Sequence, residues 1–268
     1  MSVSPAILPL ALAATAAMSL TPSTLTAQSA PIKNVVLVHG AWADGSSFAK
    51  VIPLLTAKGY RVVAVQNPLS SLSDDVEATK RAIAQMDGPV ILVGHSWAGT
   101  IITEAGNDPK VAGLVYIAAF APEDGQSVGD ITKGGPNPPG AEQAKPDASG
   151  YLWLSRQGID EDFVPDLPPA ERDVAYVTQG PWNSKEFADK ITTAAWKTKP
   201  SWFIVASNDR MIPPEYERAA AAHIHATTTT LTSSHVAMLS HPSAVAAVIM
   251  DAANNAGARP VGGAATGQ

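Results

Sequence analysis

Val90-Ile91-Leu92-Val93-Gly94-His95-Ser96-Trp97-Ala98-Gly99 is the stretch that decides the fold. An apolar, β-branched run leads straight into a serine set among small residues, and a helix-forming segment, Thr100-Ile101-Ile102-Thr103-Glu104-Ala105, follows. This is the sequence form of a nucleophile elbow, in which a buried strand turns sharply into a helix and carries a serine hydroxyl at the tip. The turn strains the serine backbone, so the residues two positions away on either side must be small. Gly94 and Ala98 meet that need, although the stricter pattern has glycine where Ala98 stands. The turn also aims Ser96 at the N-terminus of the next helix, where free N–H groups favour developing negative charge.

On either side, strand-like and helix-like patterns alternate. Asn34-Val35-Val36-Leu37-Val38-His39-Gly40 and Arg61-Val62-Val63-Ala64-Val65 read as strands before the elbow, and residues 111–120 as a fully apolar strand after it. Ser46 or Ser47 is the expected cap of one helix reaching Gly59, and residues 73–86 form a second helix whose first turn is acidic, Asp74-Asp75-Val76-Glu77. Short apolar strands separated by amphipathic helices indicate a parallel sheet covered on both faces. Between residues 122 and 199 the rhythm breaks. Residues 129–150 are rich in Gly and Pro and are expected to be loop, and an aromatic-rich, partly helical region follows; an insertion of this kind makes a lid over the carboxyl edge of the sheet. The core resumes with Ser201-Trp202-Phe203-Ile204-Val205-Ala206, a helix holding Tyr216, a strand over 227–231 and a helix over 236–253.

A serine hydroxyl is nearly inert at neutral pH, so it needs a base in reach and a third group to orient that base. In open parallel sheets the reactive loops lie at the carboxyl ends of the strands. Asp209 follows one such strand in Ser207-Asn208-Asp209-Arg210-Met211-Ile212-Pro213, and His235 follows the last in Thr232-Ser233-Ser234-His235. Glu123 and Asp124 rival Asp209, but read more simply as loop carboxylates at the lid entrance. Of the other histidines, His39 and His95 abut reactive loops, His223 and His225 belong to a solvent-facing helix end, and His241 precedes a proline in the last helical segment.

At these residues the chain resembles the α/β-hydrolase fold, and more narrowly its small lid-bearing esterase branch of methyl-salicylate-type esterases and hydroxynitrile lyases. The matching pieces are Val38-His39-Gly40-Ala41-Trp42, Gly94-His95-Ser96-Trp97-Ala98-Gly99, Asn208-Asp209-Arg210-Met211-Ile212-Pro213 and His235-Val236-Ala237-Met238-Leu239-Ser240-His241-Pro242. The resemblance implies Ser96 as nucleophile, His235 as general base and then acid, and Asp209 as the orienting carboxylate. It places the oxyanion hole at the backbone N–H groups of Ala41 and Trp97, where each fixed donor is worth roughly 3–4 kcal/mol. It further implies a small-molecule ester substrate, an acyl-enzyme mechanism and no cofactor. Lyases of this branch resemble the pattern with a lysine after the catalytic histidine; Val236 stands there and argues for ester hydrolysis. Perhydrolysis, lactone opening or carbon–carbon hydrolysis on the same triad, and a low-turnover ligand-binding member of the fold, are the alternatives. Trp42, His95, Phe120, Trp153 and Trp182 are the candidate pocket residues, with Trp42 doubling as a possible structural plug.

The bulk numbers agree with one such domain, expected over residues 31–256, with the lid at about 122–199 and a mobile tail at 257–268. Of the 268 residues, 46% are hydrophobic and 16% charged, which is globular composition. A net charge of −6 gives no reason to expect nucleic acid as partner. The absence of cysteine excludes disulfides and thiolate metal sites, and no His/Asp/Glu cluster has metal-ligand spacing. Residues 1–32 carry no charged side chain, residues 6–20 are almost continuously apolar, and Ala27-Gln28-Ser29-Ala30 is a small-residue region. This reads as a signal peptide over residues 1–30, too short and Pro-interrupted for a good membrane span, with an uncleaved anchor or a disordered leader as the alternatives; it predicts a secreted or periplasmic protein with no stable membrane anchor.

Overall fold

In a computed structural model of the chain, the structure describes residues 1–2, 32–135 and 137–257. All but the first two residues of the expected leader, and the tail from residue 258 on, lie outside the described residues. Among the described residues no helix is long and apolar enough to cross a membrane.

Six strands, β1 (Asn34–Val38), β2 (Arg61–Ala64), β3 (Val90–His95), β4 (Val111–Ile117) and, after three short cap strands, β8 (Ser201–Ala206) and β9 (Thr227–Leu231), form one parallel sheet in the order β2-β1-β3-β4-β8-β9. Position in the sheet follows from composition. β1, β3 and β8 are buried along their whole length, as strands with both faces covered must be, and each fully buried Val, Leu or Ile contributes roughly 1.5–3 kcal/mol. The Thr-rich β9 alternates between half-buried and exposed positions and closes one edge.

The helices are α1 (Ile52–Thr56), α2 (Leu72–Ala84), α3 (Ala98–Ala105), α4 (Val128–Thr132), α5 (Pro139–Glu142), α6 (Pro169–Thr178), α7 (Pro214–His223), α8 (Ala237–Ser240) and α9 (Pro242–Asn255). α2 and α3 pack on each other against β1 and β3, and α9 packs on β3, β4, β8 and α1. The chain runs one way from β1 to β2 and the other way from β3 onward, so the sheet order reverses between β1 and β3. The crevice at their carboxyl ends is where such sheets bind ligands.

Two expected helices are broken. The segment after β1 is a 3₁₀ turn, Gly45–Phe48, followed separately by α1. Asp44, rather than Ser46 or Ser47, caps that turn by accepting the Ser46 N–H at 2.6 Å, and Pro53 restarts the helix in the first turn of α1. The last helix is likewise two, because Pro242 has no N–H and drives His241 out of the helical region to φ −128° and ψ 49°.

Residues 129–150, expected to be loop, hold the end of α4, all of α5 and a strand. β5 (Ala144–Pro146), β6 (Tyr151–Leu154) and β7 (Trp182–Asn183) form a small antiparallel sheet in the cap. The β5–β6 turn is closed by Asp147, whose Oδ1 accepts the N–H groups of Ser149 and Tyr151 at 2.8 and 3.0 Å, and by Gly150 at φ 85°. A side chain bonding to the backbone two residues on, with a glycine at positive φ, is a local signal that the composition of the segment hid.

Candidate active site

β3 ends at His95, and the chain reverses at Ser96, which adopts φ 55°. That left-handed conformation is unfavourable for a residue with a Cβ and is held by its surroundings. The Ser96 N–H donates to Ile117 O at 3.1 Å, and its carbonyl accepts the N–H groups of Gly99 and Phe120 at 3.0 and 3.3 Å. The result is a serine side chain on the wall of a cavity of about 740 Å³, just before the first turn of α3.

The loop after β8 supplies Asp209. Its Oδ1 accepts the N–H groups of Met211 and Ile212 at 2.6 and 2.9 Å, and its Oδ2 lies 2.5 Å from Nδ1 of His235. Both side chains are fully buried. A carboxylate fixed by two amides and facing an imidazole selects the tautomer with the proton on Nδ1 and leaves Nε2 as the free base. Nε2 of His235 is buried and has no hydrogen-bond partner among the described residues.

The loop after β1 forms the other wall. His39 is pinned on both nitrogens: Nδ1–H donates to Gly40 O at 2.8 Å, and Nε2 accepts the Asn67 N–H at 2.9 Å. Burial lowers its pKa, so the ring is a neutral brace for Gly40 and Ala41. Gly40 has to be glycine, since a Cβ there would sit 2.8 Å from His95 O and from Cβ of Ser96. Ala41 and Trp97 both line the cavity, and among the described residues neither backbone N–H is taken up by a backbone carbonyl. Two such amides beside a serine are what a developing oxyanion needs.

A model of the alpha/beta hydrolase family matches residues 35–248. The chain belongs to that family. It is similar to a pyrethroid hydrolase of Sphingobium wenxiniae, 27% identical over 251 residues covering 83% of this chain and 88% of the relative. It is also similar to salicylic acid-binding protein 2 of Nicotiana tabacum, 25% identical over 267 residues covering 83% and 97% of the two chains. Among solved structures it resembles an extracellular alpha/beta-hydrolase from a Paenibacillus species, with a TM-score of 0.71 and 22% identity over 83% of this chain and 99% of that one.

In this alpha/beta hydrolase the sequence candidates divide cleanly by place. Trp42, Phe120 and Trp182 line the cavity, joined by Phe187, Met211 and Tyr216. Trp182 is the hub of the aromatic wall, with its ring 5.6 Å from Trp42, 5.2 Å from Trp97 and 6.1 Å from Phe187. Two pocket candidates are misplaced. Trp153 points to the surface, 41% exposed, and donates its indole N–H to Asp147 at 3.2 Å. His95 is fully buried behind the site and donates from Nε2 to the carbonyl of His235 at 3.0 Å, its ring centroid 4.6 Å from that of His235. Burial holds the His95 pKa well below the ordinary value, so it is a neutral strut under the His235 loop.

Glu123 and Asp124 lie elsewhere. Both pair with Lys197, at 2.7 and 2.9 Å, Asp124 accepts the Ala194 N–H, and Glu123 meets the half-exposed His223 at 2.5 Å. They fasten the end of the cap to the loop after β4.

Three buried acids carry more than the sequence indicated. Asp75 fills no helix-dipole role in water; it is fully buried, accepting the Leu69 N–H and the Trp97 indole N–H at 2.8 and 2.9 Å. Glu186 of the cap is fully buried against it, and Glu217 of α7 is fully buried beside Asp209. Burial first, and then the Asp75 charge, push the Glu186 pKa up, while burial raises Asp75 as well. The folded protein therefore holds a proton on the pair that the unfolded chain releases in the ordinary carboxylate range. Stability from this pair is fully present below that range and is lost as pH rises toward the raised value. The thermal midpoint of the wild type is expected to fall more steeply between neutral and alkaline pH than that of Glu186→Gln. Parallel curves would show that the pair carries no proton.

Proposed function

We propose that this protein hydrolyses carboxylic esters through an acyl intermediate on Ser96. The single observation that carries the reading is the buried His235–Asp209 contact at 2.5 Å, which leaves Nε2 of His235 without a partner among the described residues, in a chain that holds Ser96 at φ 55° on the wall of an apolar cavity. Nε2 of His235 takes the Ser96 proton as Oγ adds to the ester carbonyl, and the amides of Ala41 and Trp97 hold the oxygen that becomes negative. The tetrahedral intermediate collapses, the C–O bond to the alcohol breaks, and the alkoxide leaves with the proton from Nε2. Water then adds to the acyl-enzyme by the same route in reverse, giving the carboxylic acid and free Ser96.

The wall of Trp42, Trp97, Phe120, Trp182 and Phe187 favours esters with a bulky apolar or aromatic group, and the similarity to a protein named a pyrethroid hydrolase supports hydrolysis as the reaction. Turnover of p-nitrophenyl acetate and of larger aromatic esters is the expected result, together with labelling of the Ser96 peptide by a fluorophosphonate. A protein that leaves the whole ester panel intact and takes no label at Ser96 does not work this way.

A further inference from the structure

Glu217 is the least expected side chain near the site. It sits on α7, is fully buried, and accepts the Ala206 N–H on Oε2 at 2.8 Å. Ala206 ends β8, and its carbonyl accepts the N–H of Asp209 at 3.2 Å. A single residue, Ala206, thus ties Glu217 to the start of the Asp209 loop. The other oxygen, Oε1, finds no N–H or hydroxyl partner among the described residues, while the carboxyl group lies within hydrogen-bonding reach of Asp209.

Two carboxylates in contact, both out of water, cannot both be charged at modest cost; one proton shared between them removes the repulsion. Asp209 already accepts three N–H bonds, two from amides and one from His235, so both of its oxygens are engaged as acceptors. The proton therefore belongs on Glu217. The surroundings agree. The strands under α7, β8 and β9, carry no titratable side chain, Arg218 on the same helix is the one cation that lowers the Glu217 pKa, and burial and the Asp209 charge outweigh it. Arg210, next to Asp209, is turned to Asp162 at 2.6 Å. His235 lies beyond Asp209.

We propose that Glu217 is a positioning residue whose carboxylic acid donates a hydrogen bond to Asp209 and so holds the carboxylate that orients His235. The inference rests on the esterase reading above. As a neutral donor Glu217 adds no charge to the site; it supplies the last bond that fixes where the Asp209 carboxylate points.

Two variants separate this from simple packing. Glu217→Met keeps the volume and removes the donor; Glu217→Gln keeps the volume and a donor. A hydrogen bond to a charged group is worth about tenfold or more in rate when lost. Glu217→Met is expected to lower kcat at least about tenfold with KM within about twofold, and Glu217→Gln to restore most of kcat. The acid limb of kcat/KM stays in place in Glu217→Gln, since a neutral group is exchanged for a neutral group. At neutral pH the infrared C=O stretch of a protonated carboxylic acid loses a component in Glu217→Gln, and that component shifts in Asp209→Asn.

Wild-type kcat in Glu217→Met overturns the proposal, as does a Gln variant as impaired as Met, an acid limb moved to lower pH in Glu217→Gln, or an infrared component that survives that substitution. If Glu217→Met does not fold, the Gln variant and the spectrum decide. If the wild type turns over no ester, the functional reading fails by itself, and the infrared comparison still decides the state of Glu217.

Discussion

Ser96→Ala is expected to lower ester turnover by a factor on the order of 10⁵ while leaving the thermal midpoint unchanged. On the proposed mechanism, loss of the nucleophile removes the acyl-enzyme route, and His235 Nε2, which has no partner among the described residues, is left with no hydroxyl to activate. Some rate over water remains, because the Ala41 and Trp97 amides and the cavity are untouched. Stability is spared for a local reason: alanine carries the same Cβ as serine, so the strain at φ 55° is equal in both proteins. Single-turnover kinetics and a melting curve on the same sample check both halves. A variant that keeps a tenth of wild-type kcat would remove Ser96 from the mechanism.

Gly99→Ala is expected to have the largest effect on stability, and through the fold rather than the chemistry. A Cβ at position 99 would lie 2.0 Å from the carbonyl oxygen of Phe120 and 2.9 Å from Cβ of Ala119. These atoms belong to the segment after β4, which cannot swing aside like a flexible side chain. Ordinary overpacking costs about 1–3 kcal/mol, and a backbone contact this close sits at or above the upper end. At about 3 kcal/mol the midpoint falls by roughly 6–12 °C for a domain of this size. Phe120 N–H also donates to the Ser96 carbonyl at 3.3 Å, so a displaced Phe120 loosens the elbow as well. Soluble Gly99→Ala with an unshifted midpoint would show that α3 can slide away from β4.

The same contacts explain the imperfect elbow pattern. The tight position before the serine is Gly94, where a Cβ would lie 2.6 Å from Ala98 O. Behind the serine the close approach falls on Gly99, one residue later than Ala98, and Ala98 itself packs in full burial. A methyl group is tolerated at 98 because the crowding is at 99.

The parallel sheet and the loops that carry Ser96 and Asp209 were legible because each rests on a local pattern, an apolar strand followed by a loop, and the loop of His235 was legible because it follows the last strand, the Thr-rich β9. The cap was not. β5 contains a proline and β7 has two residues, so neither shows the alternation that marks a strand, and β7 reaches its partner far back in the chain, with Asn183 opposite Tyr151. The pocket reading of His95, as against its structural one, failed for a different reason. Its partner is a main-chain carbonyl 140 residues away, which no side-chain pattern reveals. Glu186 and Glu217 look like ordinary surface acids in sequence, and only the packing of the cap on α2 and of α7 on β8 takes them out of water.

Trp42 follows Ala41 directly, and it is held by the cap at both ends: its N–H donates to Gly180 O at 3.1 Å and its indole to Leu152 O at 3.0 Å. Across the site, Asp166 of the cap grips both the N–H and the hydroxyl of Ser234, at 2.8 and 2.5 Å, immediately before His235. The cap is therefore a clamp with one jaw on each reactive loop. On the proposed mechanism a single element thus keeps the loop of the Ala41 amide and the loop of His235 in register with each other.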